Sequence, residues 1–352
     1  MARLLVLTAT VGGAAPAALA QTSFSQLLFD GNVPVSYAQL SPSGSTLRAR
    51  VEAVPGIALG EGAIESEIGT AAASATNFRT WASGFGYTSR VGADARGAGF
   101  KTDGGGVSAG IDRFFSPTFL AGVAFTYSHT ETTSLGARGE ADAISGSVYA
   151  AWTPYAGWEA EGLVGIDSAG IDTTRVLAFG GVPVTTRGET DSLGFSAAGT
   201  VGYRFRFAAP LGEAYLKPFA GLSYSSQDRD GYAEIGAFGP GLVFPSQTFE
   251  RSTFNLGAAT GIDLNAGNGW IVRPELRVAW SRFLSDPSPP VPAFFGDTPI
   301  VLRDPEPGRD GAVVAVEVTG ATAGLQLFAG YAGEFRSNAT AHQGRLGLRV
   351  SW

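Results

Sequence analysis

From Trp81 to Trp352 apolar side chains recur at every second position, with Gly, Ala, Ser, Thr or a lone charge between them. A period of two sustained over such a length admits β-strands with two unlike faces and little else. The stretch from Leu193 to Phe207 shows the pattern. Leu193, Phe195, Ala197, Gly199, Val201, Tyr203, Phe205 and Phe207 fall on one side, and Gly194, Ser196, Ala198, Thr200, Gly202, Arg204 and Arg206 on the other. In a soluble sandwich or barrel the apolar side would point inward. Here the second side is small, polar and occasionally charged, which suits a crowded and partly wet lumen, so the apolar side is expected to face lipid.

A second stretch sets the scale. Trp270, Val272, Pro274, Leu276, Val278 and Trp280 share one face, with the tryptophans ten residues apart. At about 3.3 Å per residue and a tilt near 40°, that spacing rises roughly 25 Å, the height of an outer-membrane apolar band between two aromatic girdles. The opposite face carries Arg273, Glu275 and Arg277, charges able to neutralise one another inside a barrel. Short connections at 116–118, 153–157, 208–213, 265–269 and 319–324 alternate with long polar ones such as 91–106, 129–142 and 285–311, with 337–341 a tight exception. Short turns on one rim and long loops on the other mark the periplasmic and extracellular ends of a bacterial barrel. The expected fold is all-β: a transmembrane antiparallel β-barrel of about twelve strands over residues 81–352.

Composition removes several alternatives. Beyond the first twenty positions no apolar run is long enough for a spanning helix. Cysteine is absent and there are two histidines, so disulfides and thiolate metal sites are excluded and no metal or cofactor is expected. A net charge of −7 without a basic cluster argues against nucleic acid as a partner. Residues 1–20 combine Arg3, an apolar core from Leu4 to Val11 and Ala18-Leu19-Ala20 before Gln21, which reads as a secretory signal peptide. Residues 21–54 are mixed and turn-rich; residues 55–80 are rich in Ala, Gly and Glu, with Ile64 and Ile68 four apart and Glu65 and Glu67 between them. This zone reads either as a modest helix weakened by glycines or as a flexible linker. As a helix, residues 62–77 would be about 24 Å long.

The chain ends in GRLGLRVSW, with Leu346, Leu348, Val350 and Trp352 on one face. This aromatic-terminated strand resembles the signal by which the outer-membrane assembly machinery recognises its clients. NFRTWASGFGYTSRVGAD (77–94), FSPTFLAGVAFTYSHTETT (115–133), SGSVYAAWTPYAGWEAEGLVGID (145–167) and LFAGYAGEFRSN (327–338) resemble the β-domain of autotransporters, the translocators of type V secretion, and the likeness runs over residues 79–352. YAQLSPSG (37–44) is similar to the segment that precedes the pore helix in many members. The resemblance implies a twelve-stranded barrel whose pore holds a helix linking it to a passenger outside the cell. It also implies export through the periplasm to the bacterial outer membrane, with periplasmic chaperones, the β-barrel assembly machinery and outer-membrane lipid as partners and a monomer as product. Eight strands enclose only side chains and sixteen leave an open channel, so about twelve admit one helix. Residues 62–77, with Ile64, Glu65 and Ile68, are then the pore helix, and residues 21–54 a short remnant passenger or linker. The expected function is a translocator that passes or anchors its N-terminal segment at the cell surface. A passive pore, or a surface adhesin acting through residues 226–252 and 285–311, are the alternatives.

No enzymatic activity is expected. His129 and His342 fall near the outer rim three strands apart, on the order of 15 Å, too far for one dyad. GFSAAG (194–199) misses the G-x-S-x-G elbow and lies mid-strand, where Ser196 is a small lumen residue. Gly104–Gly106 lacks the Lys-Ser/Thr pair of a phosphate loop and reads as a flexible loop. The inward carboxylates, among them Glu159, Asp263, Glu275 and Glu317, are expected to be neutralised by Arg204, Arg206, Lys217, Arg273, Arg277 and Arg345.

Overall fold

The computed structural model describes residues 78–116, 118–153, 157–179, 182–236, 239–322 and 325–351. Residues 1–77, with the expected signal peptide and pore helix, lie outside them, as does Trp352. The strands are β1 (Phe78–Val91), β2 (Phe100–Ser116), β3 (Phe119–Ser134), β4 (Ala137–Trp152), β5 (Trp158–Phe179), β6 (Val182–Tyr203), β7 (Phe205–Ala209), β8 (Gly212–Arg229), β9 (Tyr232–Gly236), β10 (Gly239–Phe244), β11 (Gln247–Gly267), β12 (Trp270–Phe283), β13 (Val291–Phe295), β14 (Thr298–Leu302), β15 (Asp310–Ala321), β16 (Leu325–Arg336) and β17 (Ala339–Ser351). Twelve staves form one antiparallel ring, β7 continuing β6 in the same stave, and the ring closes where β1 pairs with β17 from Arg79 opposite Ser351 to Val91 opposite Ala339.

The pairing also fixes the stagger. Stepping from Gly86 through β2, β3, β4 and β5 leads to Asp191 on β6. Stepping the other way, through β17, β16, β15, β12, β11 and β8, leads to Phe205, fourteen residues further along the same stave. A stagger of this size over twelve strands tilts them by about 40° and places the backbone about 12 Å from the axis. Once side chains line the wall, the bore is close to one helix diameter, about 10 Å.

Exposure alternates along the staves as the period of two demands. On β2, Val107 and Ile111 are exposed while Ser108 and Asp112 are buried; on β4, Val148 and Trp152 are exposed while Tyr149 and Ala151 are buried. The apolar face is thus the outer one. Short connections gather on the rim of the 116–119, 152–158, 209–212, 267–270 and 321–325 junctions, and the other rim carries the long excursions.

Two expectations for that outer rim are corrected. Residues 129–142 are not a loop: β3 and β4 run on past the membrane and turn at Leu135-Gly136, where Gly136 takes a left-handed φ of 73°. The stretch is rich in Thr and keeps its alternation, so it continues as a ladder in water as readily as in lipid. Gly104–Gly106 is not a flexible loop either but lies within β2. Gly104, Gly106 and Gly110 stand opposite Tyr87, Phe85 and Trp81 of β1, and each ring lies over its paired glycine. A Cβ on Gly110 would meet the Trp81 ring at 2.5 Å. The glycines are seats for inward-pointing aromatics, which explains why large rings fit a bore this narrow.

Gly110→Val should therefore lower barrel stability by about 1–3 kcal/mol through overpacking. Gly146→Val, where an added Cβ meets nothing within 4 Å, should cost little. The heat-dependent gel mobility of refolded protein across a urea series measures both.

Candidate functional site

The inner wall is the surface on which any function of the bore must act, and its charged residues are joined across staves. Glu159 on β5 forms an ion pair with Arg204, Nε lying 2.6 Å from its carboxylate, and accepts a hydrogen bond from Lys217 Nζ at 2.6 Å. The Arg204 guanidinium also lies 4.0 Å over the Tyr215 ring, and the Tyr215 hydroxyl donates to Glu275. Arg277 donates to Glu275 at 2.8 Å, Arg273 donates to Asp263 at 2.7 Å, and Arg345 pairs with Glu317. Arg349 donates to Gln326. The alternation on each stave sends these groups inward, and the register then brings opposite charges from the same, adjacent or next-but-one staves side by side.

Nearer the inner rim the wall is aromatic. Trp81 Nε1 donates to the Tyr149 hydroxyl at 2.7 Å, which donates to Asp112 at 2.8 Å, and Phe114, Leu120, Ala151 and Leu163 pack around them. Arg206 stands apart from the belt. It lies opposite Tyr215 at the inner rim but is exposed, paired with Glu213 at 2.8 Å.

The outer wall defines the membrane band. Trp152, Trp158, Phe115, Phe119 and Phe205 are exposed near the inner rim, and Tyr127, Trp280, Tyr331 and Phe335 towards the outer. The outer aromatics turn their polar ends to carboxylates: Tyr127 donates to Asp142 at 2.6 Å, Tyr224 to Glu250 at 2.6 Å and Trp280 to Asp310 at 3.1 Å. That is where hydrocarbon gives way to water. Both histidines belong to this girdle. His129 lies 3.0 Å from Asp142, and His342 lies 2.7 Å from the Tyr331 hydroxyl. They share no partner. Leu346, Leu348 and Val350 are exposed on the outer face of β17. The Tyr215–Glu275 link and the Asp263–Arg273 pair were not read from the sequence, because only cross-strand register brings them together.

A closed barrel with an apolar band outside, two aromatic girdles and a neutralised polar lumen defines an outer-membrane β-barrel. The family model described as the autotransporter beta-domain matches residues 80–332, and the chain belongs to that family. It is an outer-membrane translocator barrel of the type V secretion class, whose translocator domains are non-enzymatic. No protein with a curated description matches the sequence. Among solved structures it is similar to the translocator domain of autotransporter NalP from Neisseria meningitidis, with 15% identity and a TM-score of 0.61, covering 91% of this chain and 98% of that one. The beta domain of the Bordetella autotransporter BrkA gives 18% and 0.57, covering 78% and 100%. The transport unit of AIDA-I from Escherichia coli gives 14% and 0.55, covering 86% and 97%. At these identities the likeness is one of fold.

Two outcomes test the assignment of the walls. Glu159→Gln removes the carboxylate charge shared by two buried cations and should destabilise the barrel by about 3–5 kcal/mol. Adding Lys217→Met should recover part of the loss, as a shift in urea midpoint shows. Val148→Arg puts a charge into lipid near mid-band and should cost about 2–4 kcal/mol. Ser147→Arg, one residue away and facing the lumen, should cost less.

Proposed function

We propose that the barrel passes or anchors its own N-terminal segment at the cell surface, with residues 62–77 lying as a helix along the lumen. The supporting observation is the start of β1. Phe78 stands opposite Arg113, beside the short β2–β3 turn, so the chain that precedes it arrives at the inner mouth of the bore. A helix over residues 62–77 would be about 24 Å long, matched to the apolar band, in a bore of about one helix width. Ile64 and Ile68 form its apolar stripe, and Glu65 meets the arginines and lysine of the inner belt. Residues 21–54 are then a short passenger emerging outside, after removal of residues 1–20. Leu346, Leu348, Val350 and Trp352 form the strand that the β-barrel assembly machinery reads once periplasmic chaperones have delivered the chain, and the barrel works as a monomer.

A peptide tag inserted between residues 30 and 31 tests this reading. It is expected to bind antibody on intact cells, and to be lost from the surface when residues 62–77 are deleted from an otherwise folded barrel. A tag reached only after the outer membrane is broken overturns the proposal.

A further inference from the structure

The outer rim is not level. Above the girdle, β8 continues through a break at residues 230–231 into β9, which takes the place of β8 beside β6. β10 pairs with β9 on one side and touches β13 on the other, and β14 completes the row. Outward positions at this height mix polar side chains, among them Asp172, Arg187, Glu189 and Asp228, with exposed apolar ones such as Val176, Ile235 and Val301, and charges at that density place this part of the wall in water.

Its inward positions are the reverse. Ala137, Ile171, Tyr232, Phe244, Val291 and Leu302 belong to one core in which every buried residue is at most 8% exposed. An inner wall facing an open mouth would leave these side chains wet. They are dry because β4, β5, β9, β10, β11, β13 and β14 all send side chains into this one cluster, and this roof is denied water as a soluble core is.

The roof has a charged centre. Glu234 on β9 pairs with Arg175 of β5, accepts from the Thr186 hydroxyl of β6 at 3.2 Å, and accepts from the Leu242 amide of β10 at 3.3 Å. One buried carboxylate thus holds three other strands. Arg175 and Arg229 flank the Phe244 ring at 5.4 and 5.5 Å. Burial lowers the Arg175 guanidinium to about 10, against the opposing pull of Tyr232. The far side of the rim is clamped too. Arg96 pairs with Glu306 at 2.5 Å, the Glu306 amide donates to Asp94 at 2.8 Å, and Asn338 Nδ2 donates to the carbonyl oxygens of Gly92 and Glu306 at 3.0 and 3.1 Å.

We propose that this roof is an outer gate that shuts the bore from the cell exterior whenever no N-terminal segment threads the outer mouth, and that Glu234 is its latch. The inference rests on which rim faces outward and not on the course of residues 62–77. Removing the Glu234 charge leaves the Arg175 cation buried without its counterion, so the closed arrangement loses its advantage over one in which Arg175 reaches water.

The chain has no cysteine, so single cysteines report access cleanly. Ser225→Cys sits on the inward face of β8 below the roof, and Ala233→Cys on the exposed face of β9. Cells bearing the full chain are treated with a bulky, membrane-impermeant maleimide. Ala233→Cys is expected to label and Ser225→Cys to stay protected. Adding Glu234→Gln, or replacing residues 291–302 by a short Gly-Ser turn, should raise Ser225→Cys labelling about tenfold or more, with heat-dependent gel mobility confirming a folded barrel. Three results overturn the gate. They are labelling of Ser225→Cys as fast as Ala233→Cys in the otherwise unaltered chain, protection that persists without the 291–302 hairpin, and labelling under an intact roof once residues 55–77 are deleted. The last would make the N-terminal segment the seal and leave the proposed translocator reading standing.

Discussion

Lipid cannot hydrogen-bond a peptide group, so every amide and carbonyl of the band must find its partner within the protein. A strand does this only with neighbours on both sides, and the requirement ends only when the last stave meets the first. The β1–β17 pairing is therefore the condition on which the rest depends. It fixes the number of staves, their stagger of fourteen and, through these, the width of the bore.

A bore of that width creates a packing problem on the inside that differs from the one outside. Outside, bulky apolar side chains meet fluid lipid and need no complement. Inside, rings and long charged side chains from opposed walls share little space, and they fit because each rests on a small neighbour or a countercharge. Trp81 lies over Gly110, and Glu159 holds both Arg204 and Lys217. The same inner surface changes character along its axis, from aromatic near the inner rim, through a charged belt, to a dry apolar roof outside.

Much of this was legible in the sequence, for a physical reason. Alternation is a local property, so the outward Val148 and the inward Tyr149 can be told apart without knowing which strands pair. The rim assignment followed from connection length, which is equally local. Partnerships were not legible, because Tyr215 reaches Glu275 only through a register set by the whole ring. The roof was missed for a different reason. Val291–Phe295 and Thr298–Leu302 are apolar runs, but the prolines around them argue against strands inside a sheet. That objection carries little weight here, because β13 meets β10 only where Phe294 stands opposite Val243, and β14 is an edge. Likewise the glycines at 104–106 suggest a loop until Tyr87 and Phe85 are seen to occupy the space that they leave.

The closing seam also has a consequence in time. It joins residues 78–91 to residues 339–351, the most distant parts of the barrel in sequence, so it cannot form until the last stave has been made. Contacts of such long range are reached slowly, because the loop-closure entropy is lost before any pairing offsets it. Until then the chain is a curved sheet with two bare edges, the shape most prone to pair with a stranger. The ring that is most stable when finished is thus most exposed just before it is complete.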